Sequence, residues 1–175
     1  MLTLNRRQIM AAEITFGKNA KKESVTNFSL QVLEDILQAA GLSSAVISST
    51  ARSPAEQARV MYNNIVSTGV AAQKKLYAAA GDAVIDEYVK AKKAKKTPAE
   101  IKAAMVAKII AVGPTKVSHH AADPSVLCVF DVPPSSIAKK AAFEKAVRAD
   151  KRVSKFLLPP LDPGYHLEIP QPKKG

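Results

Sequence analysis

Apolar residues recur along this chain with two different periods. In TNFSLQVLEDILQAA, residues 26–40, Leu30, Leu33, Ile36, Leu37 and Ala40 fall on one helical face. The spacing predicts a helix there, with Phe28 and Val32 off the stripe and Gly41 as its stop. AVISST, 45–50, is rich in β-branched residues and reads as a strand. It runs into ARSPAEQARVMYNNIV, where Ser53 is a good cap, Pro54 suits the first helical turn and Glu56 lies three residues past the cap. A helix over 54–67 follows.

From Val70 to Val112 the pattern is helical and rich in alanine, with Gly81 and the lysine run KAKKAKK as interruptions. Thr97-Pro98-Ala99-Glu100 starts a fresh helix that stops at Gly113-Pro114. Beyond it, VLCVFDV is a short apolar strand between Asp123-Pro124 and Pro133-Pro134. SSIAKKAAFEKAVRAD is an amphipathic helix capped by Ser135 or Ser136. KFLLPP and YHLEIP are two more short strands joined through the turn LDPG, and the tail PQPKKG reads as loose. There is no internal repeat. The expected architecture is α+β: a small antiparallel sheet flanked by helices, with a helical block inserted at about 68–114 of a single 175-residue domain.

Charge narrows the partners. The formal net charge is +11, much of it from lysines in the helical block. Such a chain is drawn to polyanions, whether nucleic acid, an anionic membrane surface or an anionic cell wall. No window of eighteen apolar residues marks a membrane span. The start, MLTLNRRQIMAAEITFG, lacks the apolar run of a secretory signal, so action outside the cytoplasm calls for another route out. The lone Cys128 excludes an internal disulfide and a cysteine-rich zinc site, and it reads as a small buried hydrophobe.

Histidine is scarce, three in the chain, and two are adjacent: His119 and His120 in SHHAADPSVLCVFDV, with His166 in GYHLEI. Asp131 closes an apolar strand, and a buried carboxylate needs a partner or a cation. Zinc accepts imidazole nitrogen and carboxylate oxygen, and three protein ligands leave one position for water. Glu168, two residues past His166 on a strand, faces the same side and could serve as a general base. The spacing has no HExxH, so the residues alone leave a second reading open. In that reading His119 and His120 cap a loop and His166 is a surface strand residue.

Two stretches together carry a resemblance. VISSTARSPAEQARVMY resembles the strand, Ser, Arg-Ser-Pro, helix segment of D-alanyl-D-alanine carboxypeptidase-type zinc peptidases. That group, of the Hedgehog/DD-peptidase fold, includes VanY-like carboxypeptidases and phage L-alanyl-D-glutamate endopeptidases. The family's later motifs are similar to Ser118-His119-His120, to CVFDV and to YHLEI, in that order. The resemblance covers roughly 25–65 and 115–170. It implies His120, Asp131 and His166 as ligands of Zn2+. It implies Arg52 as a catalytic and substrate-binding residue, with Ser49, Gln57 and Ser48 as supporting groups. His120 and Asp131 stand eleven apart where the family has seven, so AADP is expected to be a looped insertion. Pro163 and Gly164 occupy the places of the family's base, which leaves Glu168, preferred by strand alternation, or Asp162.

The implied function is a zinc metallopeptidase, an endopeptidase or carboxypeptidase that cleaves the peptide stems of peptidoglycan. It would be monomeric, made in the cytoplasm without a signal peptide, and active in the periplasm or cell wall as an antibacterial phage endolysin or a secreted effector. Two alternatives stand beside it: a family member that holds zinc without catalysis, and a basic, non-specific nucleic-acid binder. The second has few arginines in its basic block and few aromatics for stacking, so no specific nucleic-acid partner is expected.

Overall fold

The computed structural model describes residues 12–173, and the sequence reading of residues 1–11 lies outside them. The chain is α+β. In order it forms β1 (Glu13–Phe16), α1 (Asn27–Ala39), β2 (Ser44–Ile47), α2 (Pro54–Thr68), α3 (Val70–Lys74), α4 (Ala79–Lys93), α5 (Pro98–Val112), α6 (Pro114–Val117), β3 (Leu127–Val132), α7 (Lys140–Ala149), β4 (Lys155–Leu157) and β5 (Tyr165–Pro170). Three strands form an antiparallel sheet in the order β3-β5-β4. β1 and β2 form a separate parallel pair. The expected antiparallel sheet is present. The β1–β2 pair was not foreseen, because EITF is too short to show a period.

Two apolar cores lie side by side. One joins α1, α7 and the strands, through Leu33, Ile36, Ile47, Phe130, Phe143 and Leu167. Val32 is fully buried within it while Leu30 is only partly buried, so the helical stripe is rotated from the face the sequence predicted. A 13-residue helix wedged between a sheet and another helix buries more than one row of side chains. Cys128 belongs to the same core, as expected.

The other core belongs to the helical block and includes α2. Met61 and Ile65 of α2, Ile85 and Tyr88 of α4, and Ile101, Met105 and Ile109 of α5 meet there. The block is therefore not an appendage on a finished domain, since α2 is shared by the site segment and the helical core. Gly81 does not interrupt it. It lies buried in the first turn of α4. The lysine run does end α4, at Lys93, and Lys95 takes a left-handed φ of 55°.

Both capping boxes form as the sequence predicts, Ser53 with Glu56 and Thr97 with Glu100. The cap expected from Ser135 or Ser136 does not. The chain takes a 3-10 turn over Pro134–Ser136, and α7 begins later, after Lys139. Ser136 Oγ instead bonds Pro133 O and the Val46 amide, tying the turn to β2. Nor is the tail loose at its start. Gln171 bonds Thr26, Ser29 and the Val126 carbonyl, which anchors the chain after β5 to the N-terminus of α1.

Glu56 yields a pH prediction. It accepts from the Ser53 amide at 2.7 Å and from Lys21 Nζ at 2.6 Å. The Lys21 bond, then the Ser53 amide, holds its carboxyl down to about 2, against an ordinary value of 4.5. A depressed carboxyl contributes stability above the unfolded value and loses it as pH falls through the folded one. Wild type is therefore expected to lose, between about pH 4.5 and 2, an increment of stability that Glu56→Gln lacks. Urea unfolding of both proteins across that window reads it.

Candidate metal centre

The site is a product of strand register. On β5, Tyr165, Leu167 and Ile169 point into the core, and His166 and Glu168 take the alternate positions. Asp131 on β3 is paired with His166, and so is Leu157 on β4. One step along, Lys155 is paired with Glu168. A slip of one residue would turn the polar row into the core and the core row outward. The pairing thus fixes Asp131 beside His166.

The 3-10 turn His119–Ala121 delivers the other donors. The AADP stretch continues from it into a turn, closed on Asp123 by the Ser125, Val126 and Leu127 amides. His120 is 3% exposed. Its Nδ1 lies 2.7 Å from the Thr50 carbonyl and its Nε2 lies 3.1 Å from Asp131 Oδ1. Because a carbonyl only accepts, Nδ1 donates to it, which leaves Nε2 as the nitrogen that faces Asp131 and could bind an ion. His166 Nδ1 lies 2.9 Å from the same Oδ1. The three ligating atoms all fall within 4.8 Å of one another, and all three residues are buried.

This buried His–Asp–His group could hold a metal ion. Donors about 2 Å from a tetrahedral ion lie about 3.3 Å from each other, close to the two separations found here. Both imidazoles also have an outer partner that fixes ring and tautomer, the usual support for a histidine ligand. For His120 it is Thr50 O, and for His166 it is Glu168, with Oε1 3.1 Å from Nε2.

Charge in the site is mutually adjusted. Burial pushes the Asp131 carboxyl up, but His120, His166 and Arg52 outweigh it and hold it well below the usual range. Burial lowers the His166 ring, and the Asp131 and Glu168 carboxylates on either side raise it to about 9. A cation at Nδ1 takes the place of that ring's proton. Burial raises Glu168, but His166, His119 and Lys155 bring it down to about 2. Asp162 is different. Burial and then the Asp131 charge lift its carboxyl above the ordinary value.

Arg52 stands behind Asp131. Its Nη2 donates to Asp131 Oδ2 at 2.8 Å and to Ser49 Oγ at 2.7 Å, its Nε donates to Ser49 Oγ at 3.0 Å, and its Nη1 donates to Gln57 Oε1 at 3.3 Å. Ser49 and Gln57, expected to support substrate binding, are occupied in holding this guanidinium. One Nη1 hydrogen has no acceptor among the described residues. The Arg52 amide bonds His120 O, while Asp131 bonds the backbones of Ser48 and Ser49, so the segment after β2 clasps both ligand-bearing stretches. Ser48 Oγ adds a bond to Asp131 O at 3.2 Å.

The cleft over the donors is lined by the predicted residues Ser49, Arg52, His120, Asp131, Asp162 and Glu168, among others. Asp162 sits in the turn before β5, where its Oδ1 accepts from the Gly164 amide at 2.9 Å. A Cβ at Gly164 would make ordinary contact, 3.4 Å from Val132 O and 3.8 Å from Asp131 Cβ. Sequence reading missed His119, whose Nδ1 lies 2.9 Å from Glu168, and Lys155, 3.5 Å from the same carboxylate. The alternation in KFL could have flagged Lys155. Nothing local marks His119 over any loop histidine, or the Thr50 carbonyl over any other.

No family model, curated protein or solved structure matches the chain. The fold and the site define a class: an α+β protein with a buried His–Asp–His group able to hold a metal ion. Among the described residues, no helix is long and apolar enough to cross a membrane.

Proposed function

We propose that the protein is a zinc-dependent peptidase acting on the peptide stems of peptidoglycan. The observation that carries this reading is the convergence of His120 Nε2 and His166 Nδ1 on Asp131 Oδ1 at the floor of an open cleft. Two imidazoles, one carboxylate and room for a solvent ligand are the donor set of hydrolytic zinc. The ordered motifs around Arg52, His120, Asp131 and His166 support the resemblance to D-alanyl-D-alanine carboxypeptidase-type peptidases. When bound, zinc supplies a Lewis acid and lowers the pKa of a water toward about 7.

The chain's own residues divide the remaining work. Asp131 would neutralise part of the charge of an ion held there, and Arg52 fixes its carboxylate through Oδ2. Glu168 occupies the far ring nitrogen of His166 and is bonded to His119 as well, so it orients the ligand and is not free to take a proton from solvent. Asp162 is the better general base: it lines the cleft, has no ring nitrogen bonded to it among the described residues, and burial, then the Asp131 charge, lifts its carboxyl above the ordinary value. This moves the base from the residue that strand alternation favoured to its alternative. The basic surface of the helical block favours an anionic wall, the substrate of an endolysin or a secreted effector.

Metal analysis and digestion of purified cell wall test the proposal. The expected result is one zinc per chain after dialysis and new amine termini released from peptidoglycan, both abolished by a strong chelator. Zinc-free protein that releases no amine after zinc is added overturns it.

A further inference from the structure

We infer that the helical block supplies the peptide-binding wall of this centre, with the Tyr77 hydroxyl donating to a backbone carbonyl of the bound substrate. The inference rests on the peptidase reading above and adds a substrate contact from outside the ordered motifs.

Tyr77 lies between α3 and α4, with its ring against the helical core. Its seat is built. A Cβ on Gly81 would lie only 2.4–2.7 Å from three atoms of the Tyr77 side chain, so the ring occupies space that any other residue at 81 would need. Tyr77 lines the metal cleft together with His120, Asp131 and His166. Its hydroxyl accepts from Gln57 Nε2 at 3.4 Å, and Gln57 in turn holds Arg52, which holds Asp131. Burial pushes the phenol above its ordinary value, and the charges of Arg52, Asp162 and Asp131 act on it more weakly.

As a donor the hydroxyl has no acceptor among the described residues. Gln73, one turn earlier, lines the same cleft. It is 4% exposed, its Nε2 donates to Thr68, and its buried Oε1 has no donor among the described residues. A peptide link carries a carbonyl acceptor, and the unused donor of Tyr77 is its complement. Phenylalanine keeps the ring but loses both the Gln57 bond and the substrate contact: loss of the first would show in zinc content and melting temperature, loss of the second in KM and Kd alone. That difference defines the test.

The probe is a synthetic stem peptide containing an L-alanyl-D-glutamate link. Its KM and kcat are measured on zinc-loaded wild type, Tyr77→Phe and Gly81→Ala, and its Kd on the zinc-free proteins by calorimetry. Tyr77→Phe is expected to keep its zinc and its melting temperature and to raise KM and the zinc-free Kd roughly tenfold, the worth of one hydrogen bond, with kcat little changed. Gly81→Ala, which displaces the ring, is expected to shift KM the same way. Wild-type KM and Kd in Tyr77→Phe overturn the inference while leaving the peptidase reading intact. A wild type without zinc or cleavage sinks the peptidase reading. In that case the zinc-free Kd still decides: a weaker Kd in Tyr77→Phe supports the contact, and an unchanged or undetectable one removes it.

Discussion

His120→Ala is expected to lose bound zinc and peptide cleavage together, while His119→Ala keeps its zinc. The two histidines are neighbours in sequence but occupy different shells of the site. His120 is buried and aims Nε2 at Asp131, with Nδ1 pinned to the Thr50 carbonyl. His119 is turned outward, its side chain 48% exposed, and reaches only Glu168. Truncating His120 removes one of three donors, and two cannot retain the ion against dialysis. It also strands the Thr50 carbonyl, a folding cost of about 1–3 kcal/mol. The protein should therefore melt earlier but still fold, as circular dichroism would show. Zinc content measured after dialysis reads the main effect. Full zinc in His120→Ala would place the ion elsewhere.

The second large effect separates two carboxylates that strand alternation alone could not rank. Glu168→Gln is expected to weaken zinc binding about 10–100-fold, the usual penalty for disturbing an outer partner of a metal-bound histidine. Glutamine keeps the shape but loses the charge that draws the His166 Nε2 proton. Once zinc is resaturated, much of the activity should return. Asp162→Asn is expected to do the reverse, holding zinc with near wild-type affinity and losing about 10²–10⁴-fold in kcat, the range of a general base. Chelator competition gives the affinities, and turnover of a stem peptide at saturating zinc gives the rates. If Glu168→Gln stays inactive at full zinc while Asp162→Asn turns over normally, the roles are exchanged and strand alternation pointed to the right residue after all.

Much of the site was legible because its signals are local. Arg-Ser-Pro with a Glu three residues past the Ser writes a helix start, and that start holds Arg52 at the end of the segment that clasps the ligands. Asp131 at the end of an apolar strand announced a buried charge in need of a partner, and it has three. The alternation in YHLEI put His166 and Glu168 on one face, as found. What the alternation could not say is how Glu168 would be used. Facing the same side brought it against the His166 ring itself, with Oε1 3.1 Å from Nε2.

The sequence by itself determined the α+β class, most element positions, both capping boxes and the candidate donors His120, Asp131 and His166. These follow from patterns spanning a few residues, where backbone period and capping chemistry act directly. Tertiary structure alone decided the rest. It partitioned the apolar residues into two cores, drew α2 into the helical one, added β1 beside β2, and seated Tyr77 over Gly81 at the cleft. It also chose Glu168 as the partner of His119, 49 positions away. Such pairings depend on strand register and on which surfaces remain to be covered once every element is packed, and no short stretch of chain holds that information.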